Sequence, residues 1–437
     1  MFEVILRCEH YLRVDELIDI VQCAIRPDIS SCLEALNADD SDRDPFQWVQ
    51  DRGAGLVEVL RARPRGLKNV QFIHQTVLDF VAQPGFRSLI LQQPLCLPLD
   101  NGYTWLSKYA YTLLETHSLA LSAKYISGRS NYLSRAEATT GRSMKAFWDD
   151  VKEEAINGFL ECKGWPSDAI DDPKLAFAVI YNLTTLLQEV IRSRNGALSD
   201  TGPFSLLHCL VYVDAFGATP SNRNRMEIDL RGQPVDKAPV DVVSILVRHG
   251  ARLNAQYQGC TPFQALFEES YYSCFTGVSD HHDTRPVVLE LLHQLLKAGQ
   301  EPNVVLVKEW EGSGMLGEKV LCTPLHVAKP DLAVLLLQFG AEINAIDSRG
   351  LTPLDLACGV GGNVHEIGDH VSPVDAYETA ALFLRHGAKL TKAGWKQWPK
   401  FVHLLETRGG ISIPEDFRRP PKMGAFRLAL VRNRLRL

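Results

Sequence analysis

Residue types able to do chemistry form only a few groupings in this chain. His365, Glu366 and His370 have the composition of a zinc-protease helix. That chemistry needs two imidazoles four residues apart on one helical face, with the glutamate between them as base. Here the second histidine comes five residues after the first, and Gly359, Gly361, Gly362 and Gly368 make the segment read as a solvated loop. His281, His282 and Asp283 would catch a metal ion only adventitiously. Gly312 to Val320 (GSGMLGEKV) approaches a phosphate-binding loop, but Glu318 intervenes before Lys319, and Val320 stands where a hydroxyl must hold magnesium. No nucleophile elbow, C-x-x-C pair or recognisable Cys/His spacing occurs. The expectation is a chain with no catalytic, cofactor-binding or metal-ligating residues, so its chemistry is that of recognition.

The rest of the chain fits that expectation. Apolar residues make up 46% and charged residues 22%, which excludes wholesale disorder and coiled-coil or collagen architectures. Length sets a soft prior of about three domains. No stretch approaches 18 uncharged apolar residues, and Glu3 and Arg7 interrupt the start, so neither a membrane span nor a secretory signal is expected. The ten scattered cysteines read as reduced, mostly buried thiols. A cytoplasmic location follows, with the nucleus also open. The net charge of −6 hides an asymmetry: Arg418 to Leu437 holds seven basic residues and no acidic one, leaving 39 basic against 52 acidic elsewhere.

A phrase recurs four times in the second half, ending in Gly250, Gly299, Gly340 and Gly387. Each glycine is preceded at −4 and −3 by apolar pairs: Leu246/Val247, Leu295/Leu296, Leu336/Leu337 and Phe383/Leu384. With another apolar residue at −7, these form one helical stripe that the glycine terminates. Asn254, Asn303 and Asn344 follow at +4 and suit a tight turn; the fourth copy has Thr391. A second phrase reads CTPFQA at 260–265, CTPLHVA at 322–328 and LTPLDLA at 351–357, with a degenerate copy at Ser205-Leu206-Leu207-His208. Threonine caps a helix and proline opens it.

These two phrases together resemble the ankyrin repeat. The resemblance implies paired helices stacked into a solenoid, in which Thr261, Pro262, Thr323, Pro324, His326, Thr352 and Pro353 are scaffold, and His326 bonds the threonine or a neighbouring repeat. The glycines lie 49, 41 and 47 residues apart, beyond the family's 33, so insertions are expected at 270–286, 304–320 and 359–376. The inner helix after Cys322 looks about four residues short. Exposed residues must then carry recognition: Tyr257, Gln258, Trp310, Ser348 and Arg349 near hairpin tips, and Phe267 and Glu268 on an inner helix of the concave face.

The first hundred residues read differently. Leu12 to Ala24 has helical spacing. Val70, Phe72 and His74 alternate as in a strand, while Val77, Leu78 and Val81 repeat as in a helix, so strand turns into helix at His74. This segment resembles the winged-helix region after the nucleotide-binding domain of fungal NACHT proteins of the STAND class. The resemblance implies that His74 corresponds to a histidine sensing ADP, with Gln75 replacing the family's aspartate, and that ankyrin arrays follow. No phosphate-binding loop precedes it, so the chain resembles the C-terminal part of such a receptor with the NTPase absent, and His74 reads as structural. Beyond it, helices are expected at 105–114, 144–159 and 177–192, with a flexible loop at 127–141.

The expected fold is mainly α: a winged-helix-like module (1–115), a helical linker or capping region (116–200), ankyrin repeats forming an α-solenoid with long insertions (201–398), and an extension with a basic tail (399–437). The expected function is a non-catalytic scaffold that binds protein partners through its hairpin tips and concave face. Two alternatives differ in class: a remnant nucleotide switch binding ADP or ATP near His74, and a nucleic-acid or anionic-surface adaptor using the amphipathic basic tail.

Overall fold

The structure, a computed structural model, describes residues 1–8, 10, 12–38, 44–61, 68–83, 102–116, 119–126, 131–194, 198, 202–215, 238–267, 285–312, 315–360 and 372–420. The expected metal-like strings at 281–283 and 365–370, part of the insertions, and the basic tail beyond 420 lie outside these residues. The fold is mainly helical. The chain divides into two compact units, Met1–Ala251 and Arg252–Leu437. Among the described residues no helix is long and apolar enough to cross a membrane.

The first unit opens with helix Phe2–Arg7, strand β1 (Leu12–Arg13), and helices Val14–Ala24, Ile29–Asn37 and Pro45–Gly53. Strands β2 (Val57–Arg61) and β3 (Lys68–Phe72) follow, pairing antiparallel with Val59 opposite Val70. The sheet order is β1-β3-β2. Helix Gln75–Val81 leaves β3 directly, as the change of hydrophobic period at His74 predicts. The expected boundaries at 115 and 200 fall within this unit. Helix Gly102–Glu115 packs on helices Val14–Ala24, Leu119–Ile126 and Tyr132–Thr140. Helix Pro173–Ile180 likewise packs on helix Leu206–Ala215.

Three local expectations change. Residues 132–140 are helix rather than loop. Asn131 caps the start by accepting from the Ser134 N–H at 3.1 Å, Gly141 ends it at φ 65°, and Tyr132, Leu133, Ala136 and Glu137 are buried. The apolar run 144–159 breaks at Val151, and the Lys152 N–H donates to the Glu115 carboxylate at 2.5 Å. The run 177–192 breaks at Asn182, which adopts φ 55°. Asparagine tolerates this left-handed conformation because its short polar side chain can bond locally. Both breaks let successive short helices fold back onto an aromatic core of Tyr111, Trp148, Phe159, Phe177 and Tyr181.

The second unit repeats one plan. A helix ends in glycine (Arg285–Lys297 before Gly299, Pro330–Gln338 before Gly340, Pro373–Arg385 before Gly387), and short helical turns open at Thr261, Thr323 and Thr352. The turn after Thr323 is the 3-10 segment Pro324–Val327, which accounts for the missing length there. The insertion at 304–320 forms a hairpin of strands β4 (Leu306–Gly312) and β5 (Met315–Cys322). In its phosphate-loop-like string, Gly312 and Met315–Val320 therefore lie in antiparallel strands, with Lys319 opposite Glu309. The expected boundary at 398 falls inside helix Lys392–Gly409. There Trp398 is fully buried against Phe401 and Phe417, and its indole N–H donates to the Phe417 carbonyl at 3.1 Å.

Candidate interaction surface

The turns of the second unit are held by two sets of polar bonds. The first is a capping box. In Thr261–Gln264, Thr323–His326 and Thr352–Asp355 the fourth residue accepts from the threonine N–H at 2.8, 3.2 and 2.8 Å. Its far side then reaches the next turn. Gln264 donates to the Val305 carbonyl at 2.7 Å, and Asp355 accepts from the Thr391 N–H at 3.0 Å. His326 Nε2 lies 3.1 Å from the Leu351 carbonyl, with Nδ1 accepting from Thr323, so the ring carries its proton on Nε2. Burial pushes the His326 imidazole below its ordinary range and keeps it neutral. Burial raises the Asp355 carboxyl, against the opposing pull of its hydrogen bonds from Thr352 and Thr391. In the first unit Ser205 and His208 form the same box, with the Ser205 N–H 3.1 Å from Nδ1.

The second set comes from the asparagines after the glycines. Asn303 accepts from the Glu342 N–H at 2.8 Å, and Asn344 accepts from the Lys389 N–H at 2.8 Å. Their amide groups donate to the Gly340 and Gly387 carbonyls at 3.4 Å. The sequence pattern marked these residues as turn formers. In the structure they bridge to the following copy and occupy the carbonyl that a helix end leaves open.

On this frame sit the residues singled out for recognition. Tyr257 and Cys260 exchange backbone hydrogen bonds of 2.9 and 3.0 Å around Gln258 (φ 51°) and Gly259 (φ 82°). Two positive φ values define a type I′ hairpin, for which glycine is the unstrained choice and Gln258 is not. Gln258 is exposed and Tyr257 half-buried, with the amide donating to the phenol oxygen at 3.3 Å.

At the next described tip, Asp347 is fully buried and its carboxylate accepts three hydrogen bonds. Oδ1 accepts from the Arg349 and Leu351 N–H groups at 2.9 and 2.8 Å, while Oδ2 accepts from Arg349 Nε at 3.0 Å and forms an ion pair with Nη2 at 2.9 Å. Arg349 is thus folded back onto the turn, its side chain 16% exposed. Ser348 is exposed and clamps the tip to β5: its N–H donates to the Leu321 carbonyl at 2.9 Å, and its hydroxyl accepts from the Leu321 N–H at 3.0 Å.

The remaining candidates lie elsewhere. Phe267 is 2% exposed with its ring 5.4 Å from Phe263, so it is a core residue instead of a surface anchor. Its place next to a short inner helix made it look accessible, but the segment turns inward. Glu268 lies outside the described residues. The Trp310 backbone pairs with Glu318 in the β4–β5 hairpin, and nothing is described of its side chain. His74, the residue of the nucleotide alternative, is exposed and caps helix Gln75–Val81, its Nδ1 accepting from the Thr76 N–H at 3.2 Å.

No family model matches the chain, and no curated protein matches it. The geometry therefore stands by itself. It brings Ser348 and Arg349 onto one rigid turn, with Tyr257 and Gln258 on another. These tips present a hydroxyl, an amide and a phenol, groups suited to directional hydrogen bonding. The Asp347 cluster escaped the sequence reading because its carboxylate bonds its own turn, a pattern whose only trace is an aspartate three residues before Gly350.

Proposed function

We propose that this chain is a non-catalytic recognition scaffold whose second unit is an ankyrin-type array binding a protein partner through its hairpin tips. One observation carries the reading. Three side chains of different type, Gln264, His326 and Asp355, perform the same bridging task at equivalent positions. A task retained through changed residue types marks a repeated scaffold, in which each copy is stable only against its neighbour. Tips fixed by such bonds lose little conformational freedom on binding, so they can contribute affinity with few contacts.

In the first unit, the antiparallel β1-β3-β2 sheet, its first strand followed by helices and its other two forming a hairpin, supports a winged-helix-like module. Together with the NACHT-like segment at 70–81 it favours a receptor-like protein in which His74 is a helix cap. The test is photo-crosslinking from a reactive amino acid at Gln258 or Ser348, with Gln338 as an exposed control. The same partner should be captured from both tips and lost on Tyr257→Ala. Capture from Gln338 alone, or capture insensitive to Tyr257→Ala, overturns the reading.

A further inference from the structure

Helix Lys392–Gly409 has two unlike faces. Gly394, Trp398, Phe401, Val402 and Leu405 are buried. Lys392, Lys396, Lys400 and His403 are exposed at intervals of four, four and three residues, which aligns them on one stripe. Each four-residue step advances about 6 Å along the axis. Trp395 lies beside this stripe and is 46% exposed, one of the few exposed large hydrophobic side chains among the described residues. From Thr379 to Leu405 the chain contains no aspartate or glutamate, but it holds Arg385, Lys389, Lys392, Lys396 and Lys400, all exposed. Among the described residues none of these five cations is in an ion pair. Lysines at i and i+4 repel one another, so the stripe weakens the helix that carries it. An arrangement that opposes folding calls for another reason to exist.

We propose that this face binds the phosphate backbone of single-stranded nucleic acid without sequence preference, an activity separate from partner recognition at the tips. Ammonium groups act on phosphate as point charges, and the stripe has no arginine fork with which to read base edges. An exposed indole among lysines is a stacking platform that any unpaired base can use, whereas bases in a duplex are already stacked. A membrane-binding helix needs a broad free apolar face. Here the apolar face is consumed by the core, which leaves Trp395 alone. The basic residues beyond 418 have the same sign, so the chain's own C-terminal segment is no competitor for the site.

The experiment uses the full chain and fluorescently labelled oligo(dT) and oligo(U) of about twelve nucleotides, with anisotropy followed from 50 to 200 mM salt. Each phosphate contact on a single strand contributes about −0.7 to the slope of log K against log salt. Four contacts, from Lys389, Lys392, Lys396 and Lys400, predict a slope close to −3. Lys392→Gln/Lys396→Gln/Lys400→Gln should bring it to about −1 without lowering the melting temperature, since all three side chains are exposed. Trp395→Ala should weaken binding about fivefold or more, the effect of one lost stacked base, and leave the slope unchanged. Absence of binding, or a slope unaltered in the triple variant because the basic tail supplies it, overturns the proposal. So does tighter, lysine-dependent binding to poly-glutamate or to phosphatidylserine vesicles than to the oligonucleotides.

Discussion

Substituting alanine for Gly394 gives a sharp test of how the last copy is locked. A Cβ at this position would overlap Asp355 Oδ1 and lie 2.9 Å from its Cγ and 2.8 Å from Leu390 Cδ2. Non-bonded heavy atoms prefer roughly 3.5–4 Å, so the carboxylate would have to move by more than about 1 Å. That movement breaks the bond from the Thr391 N–H, now 3.0 Å, and strains those from Thr352. A hydrogen bond to a charged group is worth about 1.5–3 kcal/mol, and overpacking a filled site costs about 1–3. Against these, alanine favours a helix over glycine by about 1 kcal/mol. The net expectation is a loss of about 2–5 kcal/mol, whereas an unobstructed helical glycine would gain about 1. Urea unfolding followed by tryptophan fluorescence reports on Trp395 and Trp398 in the same helix. The effect should shrink by more than about 1 kcal/mol in an Asp355→Ala background, because the obstacle is then gone. A neutral or stabilising Gly394→Ala, or strict additivity with Asp355→Ala, would refute the packing argument.

Two further outcomes are expected. His326→Ala leaves the Leu351 carbonyl without its buried donor and should destabilise by about 2–4 kcal/mol. His326→Gln should recover part of this, as Gln264 makes the equivalent bridge, and equal losses for the two variants would argue against a bonding role. In the first unit Glu137 is 6% exposed, and burial raises its carboxyl to about 7 even though it accepts the Thr185 and Leu186 N–H groups at 2.9 Å. A folded pKa above the unfolded 4.5 gives stability that is complete below pH 4.5 and lost as pH rises through 7. Urea midpoints of the parent chain minus those of Glu137→Gln should therefore fall between pH 5 and 8, and a rise would reverse the sign of the linkage.

Much of the helix layout could be read from the sequence, because a glycine terminator or a threonine-proline start acts on its own few residues. The repeated phrase of two apolar residues, two others and glycine located helix ends at Gly299, Gly340 and Gly387, and the period change at His74 located a strand-to-helix junction. Composition and spacing also set the mainly helical class. Tertiary packing decided the rest. The run 177–192 has one continuous helical period, yet Asn182 breaks it, and residues on both sides of the break, Phe177 and Leu186 among them, are buried. Residues 127–141 look polar and loop-like, yet Asn131 and Gly141 enclose a helix whose few apolar residues are buried.

The same division runs through the candidate surface. Spacing placed Tyr257, Gln258, Ser348 and Arg349 at chain reversals, since turn chemistry is written locally. It could not show that Phe267 turns into the core, that Asp347 takes up the charge of Arg349, or that Asn303 and Asn344 bridge to carbonyls 37 and 43 residues away. Local sequence determines which backbone groups an element leaves unsatisfied. Only the folded chain, by bringing distant segments within hydrogen-bonding range, determines which side chains satisfy them and which are left facing water.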